Sequence, residues 1–220
     1  MSFSIHFEEN CGSEFNLDLY LNARAKAILA VQMTAQNIRP GMDESQCNSI
    51  LTKELSASGV EKFWHPTKFR VNSNTTKNFR DLSDEVRLKE QDLFFIDIGP
   101  VFFNHEADYG ETFVLGNDPQ LIHLQSAPKK IFMATQEAWK QDELTGVELY
   151  EFASNEAEKM NLKLNSNMYG HRLGDFPHAL HYKGKLGNQD FFPLPHLWVL
   201  EIHVLDESLG RGAFFEDVLI

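Results

Sequence analysis

The chain has 220 residues, of which 42% are hydrophobic and 12% aromatic, so it can bury the core of one large domain. Acidic residues exceed basic ones by 32 − 20 = 12, which gives a formal net charge of −12 and argues against a nucleic-acid partner, because such partners need clustered Lys and Arg. The two cysteines form no CxxC pair, and no segment approaches the roughly 20 apolar residues that cross a bilayer. We therefore expect a cytoplasmic protein that has no membrane partner.

Two helices are predicted first along the chain. Residues 17–38 have apolar spacing near three and four, and Arg39-Pro40-Gly41 stops that pattern. Asp43 can cap a second helix, which ends before Gly59.

A β-hairpin is predicted to follow these helices. Residues 62–78 are expected to be extended or irregular. Residues 93–99 and 111–115 have the β-branched and aromatic content of strands, and they are joined through residues 102–105.

The second half of the chain repeats this plan. Helices are predicted over residues 120–141, with Pro128 as a kink or boundary, and over residues 146–160. A second hairpin is predicted from residues 198–205 and 213–220. The duplication brings two hairpins from different halves of the chain toward one centre.

Each hairpin carries acidic residues within its apolar strands. Asp97 interrupts the apolar run 93–99, and Glu201 interrupts the run 197–205. A carboxylate inside a buried strand loses its hydration and needs a compensating partner, and a divalent metal is such a partner. Asp108 and Glu216 follow on the same hairpins after 108 − 97 = 11 and 216 − 201 = 15 residues, so they can face the first pair across adjacent strands.

The charge of this set suits a two-metal centre. Four carboxylates carry about −4, which two divalent cations balance, and His171 supplies an imidazole. Such a mixture suits Mn, Co, Fe or Zn, while the absence of thiolate argues against a structural zinc site. Paired divalent metals are a usual device of amide hydrolysis.

These residues are similar to the pita-bread metallopeptidases of peptidase family M24, which include methionine aminopeptidase, aminopeptidase P and prolidase. The matching segments are residues 93–99 around Asp97, Ala107-Asp108 with Thr112, Phe113 and Gly116, Gly170-His171 with Gly174 and His178, Leu200-Glu201, and residues 215–219 around Glu216. The resemblance implies an α/β pita-bread fold with a pseudo-twofold repeat of helices and antiparallel β-hairpins. It implies one catalytic domain over residues 17–220, with residues 1–16 as an N-terminal extension.

The resemblance also implies roles for the ligands. Asp97 would bind one metal, Asp108 and Glu216 would bridge both, and His171 and Glu201 would bind the other.

Two catalytic roles follow from the same resemblance. Glu201 would also transfer the proton of the nucleophilic water. His178 would donate a hydrogen bond to the substrate carbonyl and its tetrahedral intermediate, as in an oxyanion hole.

Some positions depart from the family pattern. Counting on from Asn74 reaches Phe79 where a substrate-side histidine is usual, so either that histidine is absent or His65 substitutes for it. Glu111 stands where an Arg often precedes Thr112.

Three functions are compatible with these observations. The first is an aminopeptidase-type hydrolase, similar to Xaa-Pro or Met aminopeptidases, that acts on a peptide or small amide. The second is a metal-retaining binding or regulatory protein, which Phe79 and Glu111 favour. The third is a hydrolase of a small non-peptide C–N substrate. The sequence is also compatible with a homodimer.

Two supporting features are expected near the site. His203 lies two residues from Glu201 and can point to the same face of the strand as a partner of the ligands. Gly170 and Gly174 are expected to allow close approach of the backbone.

Overall fold

The computed structural model describes residues 6–220, which form four α-helices and an eight-stranded sheet. The helices are α1 (Leu17–Ala35), α2 (Glu44–Ser58), α3 (Pro119–Asp142) and α4 (Gly146–Lys159). The strands are β1 (Lys62–Val71), β2 (Asp92–Phe102), β3 (His105–Glu106), β4 (Tyr109–Leu115), β5 (Lys163–Leu164), β6 (His171–Arg172), β7 (Trp198–Asp206) and β8 (Arg211–Val218).

The boundaries of α2 follow from its sequence. Asp43 accepts a hydrogen bond from the Gln46 amide, and the Gln46 side chain returns one to Asp43, so the helix begins with a complete capping box. Gly59 ends the helix in the left-handed region at φ 81°, where glycine has no steric penalty. Both predicted limits are confirmed.

Two helix predictions need correction. Helix α1 ends at Ala35, three residues before the predicted limit at Ile38. Pro128 is not a boundary, because α3 continues through it. Leu124 and Ile131 on either side are buried in the core, and this packing outweighs the hydrogen bond that proline cannot donate.

The sheet combines one half from each part of the chain. Its order is β1-β2-β4-β8-β7-β5, all paired antiparallel, while β3 pairs with β2 and β6 pairs with β7. The halves meet where β4 pairs with β8, through Gly110 opposite Glu216 and Glu111 opposite Phe215. The expected repeat of two helices and a hairpin is therefore present, and both acidic hairpins lie at the centre of one sheet.

Residues 6–16 pack against the sheet. The buried guanidinium of Arg172 donates hydrogen bonds to the carbonyl oxygens of Glu8 and Asn10 at 2.8 and 2.9 Å. Glu9 is also buried, and its Oε1 accepts hydrogen bonds from Trp198 Nε1 and the Leu194 amide. This segment is thus joined to β6, the strand that carries His171.

Cys11 and Cys47 are both free thiols. Within residues 6–220, no helix combines the length and the apolar character that crossing a bilayer requires.

Candidate metal centre

Three of the predicted ligands lie in one row across the sheet. Asp97 on β2 is opposite Gly110 on β4, Gly110 is opposite Glu216 on β8, and Glu216 is opposite Glu201 on β7. Gly110 leaves the space that this row needs, because a Cβ there would lie 2.8 Å from Glu216 Oε1.

Asp108 and His171 complete the set from neighbouring segments. Asp108 lies between β3 and β4, with 1% of its side chain exposed. Its Oδ2 lies 2.8 Å from His171 Nε2, and Glu201 Oε1 lies 3.7 Å from the same nitrogen. The five side chains therefore converge, as the two-hairpin arrangement predicts.

His65 belongs to the same cluster. Its Nε2 lies 3.2 Å from Asp108 Oδ1 and 3.5 Å from Asp97 Oδ1. Phe79, the other substrate-side candidate, packs edge-on against the His65 ring, with ring centroids 5.5 Å apart.

The buried acids resist ionisation. Burial and the neighbouring carboxylates raise the pKa of Asp97 to about 7, although His65 opposes this shift. Burial also raises the pKa of Glu201 and, together with Asp108 and Asp97, holds the pKa of Glu216 well above its usual range. Ionised together, these groups need added positive charge.

In contrast to the three acids, the two histidines and Asp108 favour their charged forms. Burial disfavours charged imidazole, but the adjacent carboxylates outweigh it and raise the pKa of His65 and of His171 to about 9. Burial would raise the pKa of Asp108, but hydrogen bonds from His171 and His65 outweigh it and lower that pKa.

The donor set fits divalent cations. Two groups, His65 with Asp97 and Asp108, and Asp108 with His171 and Glu216, each have ligand atoms that all lie within 4.8 Å of one another. Glu216 Oε1 is buried and has no hydrogen-bond partner among residues 6–220, which is costly for a carboxylate oxygen unless a cation binds it. Carboxylate and imidazole donors suit Mn, Fe, Co or Zn.

The cluster lies in a cavity of about 640 Å³. This volume is in the range of small-molecule sites. Besides the six residues of the cluster, the cavity is lined by Trp64, Asn78, Phe79, Arg80, Asn167, Met168, Tyr169, Gly170 and Lys185.

The family model for Metallopeptidase family M24 matches residues 18–220. The chain belongs to this family. Members are divalent-metal enzymes, which agrees with the donor set. No curated protein sequence matches the chain.

Solved structures share the fold of this M24 metallopeptidase. Methionine aminopeptidase from Thermotoga maritima is 16% identical with a TM-score of 0.74, over 96% of this chain and 93% of that one. X-Pro aminopeptidase from Thermotoga maritima is 19% identical with a TM-score of 0.73, over 94% of this chain and 60% of that one. Prolidase from Pyrococcus horikoshii is 19% identical with a TM-score of 0.71, over 95% of this chain and 59% of that one. The chain thus spans about three fifths of the last two proteins.

His178 of the M24 protein lies beside the cluster and not on the cavity wall. Its ring centroid is 6.0 Å from that of His171 and 5.3 Å from that of Trp64. Glu106 holds it at two points, accepting hydrogen bonds from the His178 amide and from Nδ1. Sequence reasoning missed Glu106, because the two residues are 72 positions apart.

Trp64 connects the three histidines. Its ring centroid lies 4.3 Å from that of His65 and 4.8 Å from that of His171, and its Nε1 donates to the Ala107 carbonyl. The half-buried indole thus forms an aromatic wall on one side of the cluster.

The two supporting features have different outcomes. His203 hydrogen-bonds with the Asn165 side chain and the Thr75 carbonyl, and not with a predicted metal ligand. It pairs with Phe214 on β8, two positions further along β7 than Glu201, and its ring faces the 3-10 turn at residues 72–76. Gly170 does allow close approach, because a Cβ there would lie 2.2 Å from the Val199 carbonyl oxygen. Gly174 does not, because its nearest neighbour would be 3.8 Å away.

Proposed function

We propose that this metallopeptidase is an aminopeptidase that uses two divalent metal ions to remove an N-terminal residue from short peptides. The observation that carries the proposal is the row of buried carboxylates that faces His171 in a cavity of about 640 Å³. Two proteins that share the fold are a methionine aminopeptidase and an X-Pro aminopeptidase, which supports this activity.

Asp108 and Glu216 would hold both metal ions in this proposal. Asp108 is buried between two imidazoles, one at each carboxylate oxygen. Glu216 lies between Asp97 and Glu201 across the sheet, and one of its buried oxygens has no partner in the part of the chain that the structure describes. Bound as a pair, divalent cations activate water and polarise the scissile carbonyl.

Glu201 would hold a proton during the reaction. Its Oε2 accepts a hydrogen bond from the Gly170 amide at 3.3 Å, and its Oε1 faces His171. Burial raises the pKa of Glu201, which brings this carboxyl group closer to the range that proton transfer needs.

His178 is proposed as the donor to the substrate carbonyl. The Glu106 carboxylate fixes Nδ1 and would balance the charge of a doubly protonated ring. Nε2 would then donate toward the developing oxyanion. Because Trp64 lines the cavity and packs edge-on against His178, this role requires the indole ring to leave that nitrogen accessible.

We also propose that the cavity prefers short peptides with a free carboxylate. Arg80 and Lys185 line it, and neither forms an ion pair within residues 6–220, although the chain is strongly acidic overall.

Comparing hydrolysis of dipeptides with that of their amides tests this preference. Arg80→Ala and Lys185→Ala should raise KM for the dipeptides only.

Metal analysis with peptide hydrolysis tests the proposed activity. We expect about two divalent ions per chain and release of the first residue from Xaa-Pro or Met-Xaa peptides with Mn, Co, Fe or Zn. Glu216→Gln should lose metal and activity, while Glu207→Gln, on the exposed turn of the same hairpin, should lose neither.

Two results would count against the proposal. A wild-type protein that binds no stoichiometric metal is incompatible with it. A metal-loaded protein that leaves every peptide intact favours the binding-protein interpretation.

A further inference from the structure

We propose that His65 is a sixth protein ligand of the metal centre, so that each of the two metals has one imidazole. The inference rests on the proposed two-metal site and goes beyond it, because the five-ligand set contains only His171.

The arrangement around Asp108 supports this assignment. His65 Nε2 lies 3.2 Å from Oδ1, and His171 Nε2 lies 2.8 Å from Oδ2. A carboxylate that bridges two cations presents one oxygen to each. The two histidines therefore occupy equivalent places on opposite sides of the same bridging group.

The two imidazoles are oriented in the same way. His171 Nδ1 lies 2.7 Å from the carbonyl oxygen of Arg172, and His65 Nδ1 lies 2.9 Å from that of Pro66. In each case the carbonyl belongs to the next residue and accepts the Nδ1 proton, which leaves Nε2 to carry the lone pair toward the carboxylates. Metal-bound histidines are commonly fixed by such a hydrogen bond.

The candidate ligand groups overlap as a two-metal site requires. One group contains His65 and Asp97, the other contains His171 and Glu216, and Asp108 belongs to both. In each, the ligand atoms lie within 4.8 Å of one another. On each side of the shared Asp108 carboxylate there is one imidazole and one further carboxylate. Two similar cations would therefore have matching donor sets.

The backbone around His65 has features that direct its side chain. Strand β1 changes register relative to β2 on both sides of His65, between Phe63 and His65 and again between His65 and Lys68. Such irregularities redirect side chains and are frequent beside active sites. Opposite His65 is Gly99, where a Cβ would lie 2.1 Å from the imidazole. Only glycine leaves room for the ring at this place.

Paramagnetic NMR with Co²⁺ separates a ligand from a substrate contact. Metal-free wild-type protein is titrated with Co²⁺ by calorimetry, and the exchangeable imidazole N–H resonances shifted by the bound ion are recorded. The variants are His65→Ala, His65→Gln and His171→Ala, and the control is His123→Ala, whose side chain is exposed on α3.

We expect two shifted imidazole N–H resonances in the wild type and His123→Ala, and one in each His65 and His171 variant. The affinity for one Co²⁺ should fall by about tenfold or more in both His65 variants. If both variants keep two resonances and wild-type affinity and change only KM, His65 contacts substrate and the proposal is overturned. A wild type that binds two Co²⁺ but cleaves no peptide refutes the aminopeptidase activity and leaves this inference standing.

Discussion

Replacing Gly99 with alanine should displace His65 and weaken the metal centre. The added Cβ would lie 2.1 Å from His65 Cδ2, 2.4 Å from Nε2 and 2.6 Å from Trp64 Nε1. Ordinary contact begins at 3.4 Å, so the imidazole must move by about 3.4 − 2.1 = 1.3 Å. That movement would break the 3.2 Å approach to Asp108.

The size of the effect follows from overpacking. Forcing extra volume into a filled site costs about 1–3 kcal/mol, and the ring cannot turn away freely because Pro66 and Asp108 hold both nitrogens. We therefore expect the free energy of unfolding of the metal-free protein to fall by about 1–3 kcal/mol. The affinity for one metal should fall by roughly 10–100-fold.

Urea unfolding and calorimetric metal titration measure the two effects. Gly174→Ala is the matched control, because its Cβ would meet nothing closer than 3.8 Å. Its unfolding free energy should stay within about 0.5 kcal/mol of wild type, or rise slightly. If Gly99→Ala is as stable as Gly174→Ala and binds metal as tightly, the packing argument for His65 is refuted.

Three further predictions follow from buried groups. Thiol labelling of the native protein, read by mass spectrometry, should modify Cys11 and spare Cys47, because burial raises the pKa of Cys47 to about 12; equal labelling rates would contradict this. Arg172→Ala should destabilise the fold by about 3 kcal/mol and expose residues 6–16 to proteases, since it leaves several carbonyls without a donor; an unchanged digest would speak against it. Metal affinity should rise with pH up to about 9, because Asp97, with a pKa of about 7, and His171, with a pKa of about 9, must lose protons to bind; calorimetry showing constant affinity over that range would exclude this coupling.

Much of the candidate metal centre could be predicted from the sequence, because an ionised carboxylate is unfavourable in a buried strand. Asp97 and Glu201 each interrupt an apolar run, and the structure places both in strands of the central sheet. The equal order of helices and hairpins in the two halves predicted that the strands would meet, and they do so between β4 and β8.

The surroundings of the site were harder to predict because they depend on distant contacts. Glu106 lies next to His178 only in the folded chain, and nothing in the spacing of the two residues indicates it. His65 could not be separated from Phe79, since the register changes in β1 that direct its ring depend on pairing with β2. Pro128 does not end α3, because local propensity yields to packing in the core.

The pairing of β4 with β8 has a consequence for the order of folding. It joins Gly110 to Glu216, which are 216 − 110 = 106 residues apart, and closing so long a loop costs on the order of 4 kcal/mol in chain entropy. Each hairpin can form early from local contacts, whereas the pairing of β4 with β8 is expected to form last. Cations bound by residues of both hairpins would stabilise the pairing of β4 with β8. Supplying metal during refolding should therefore raise the yield of native protein.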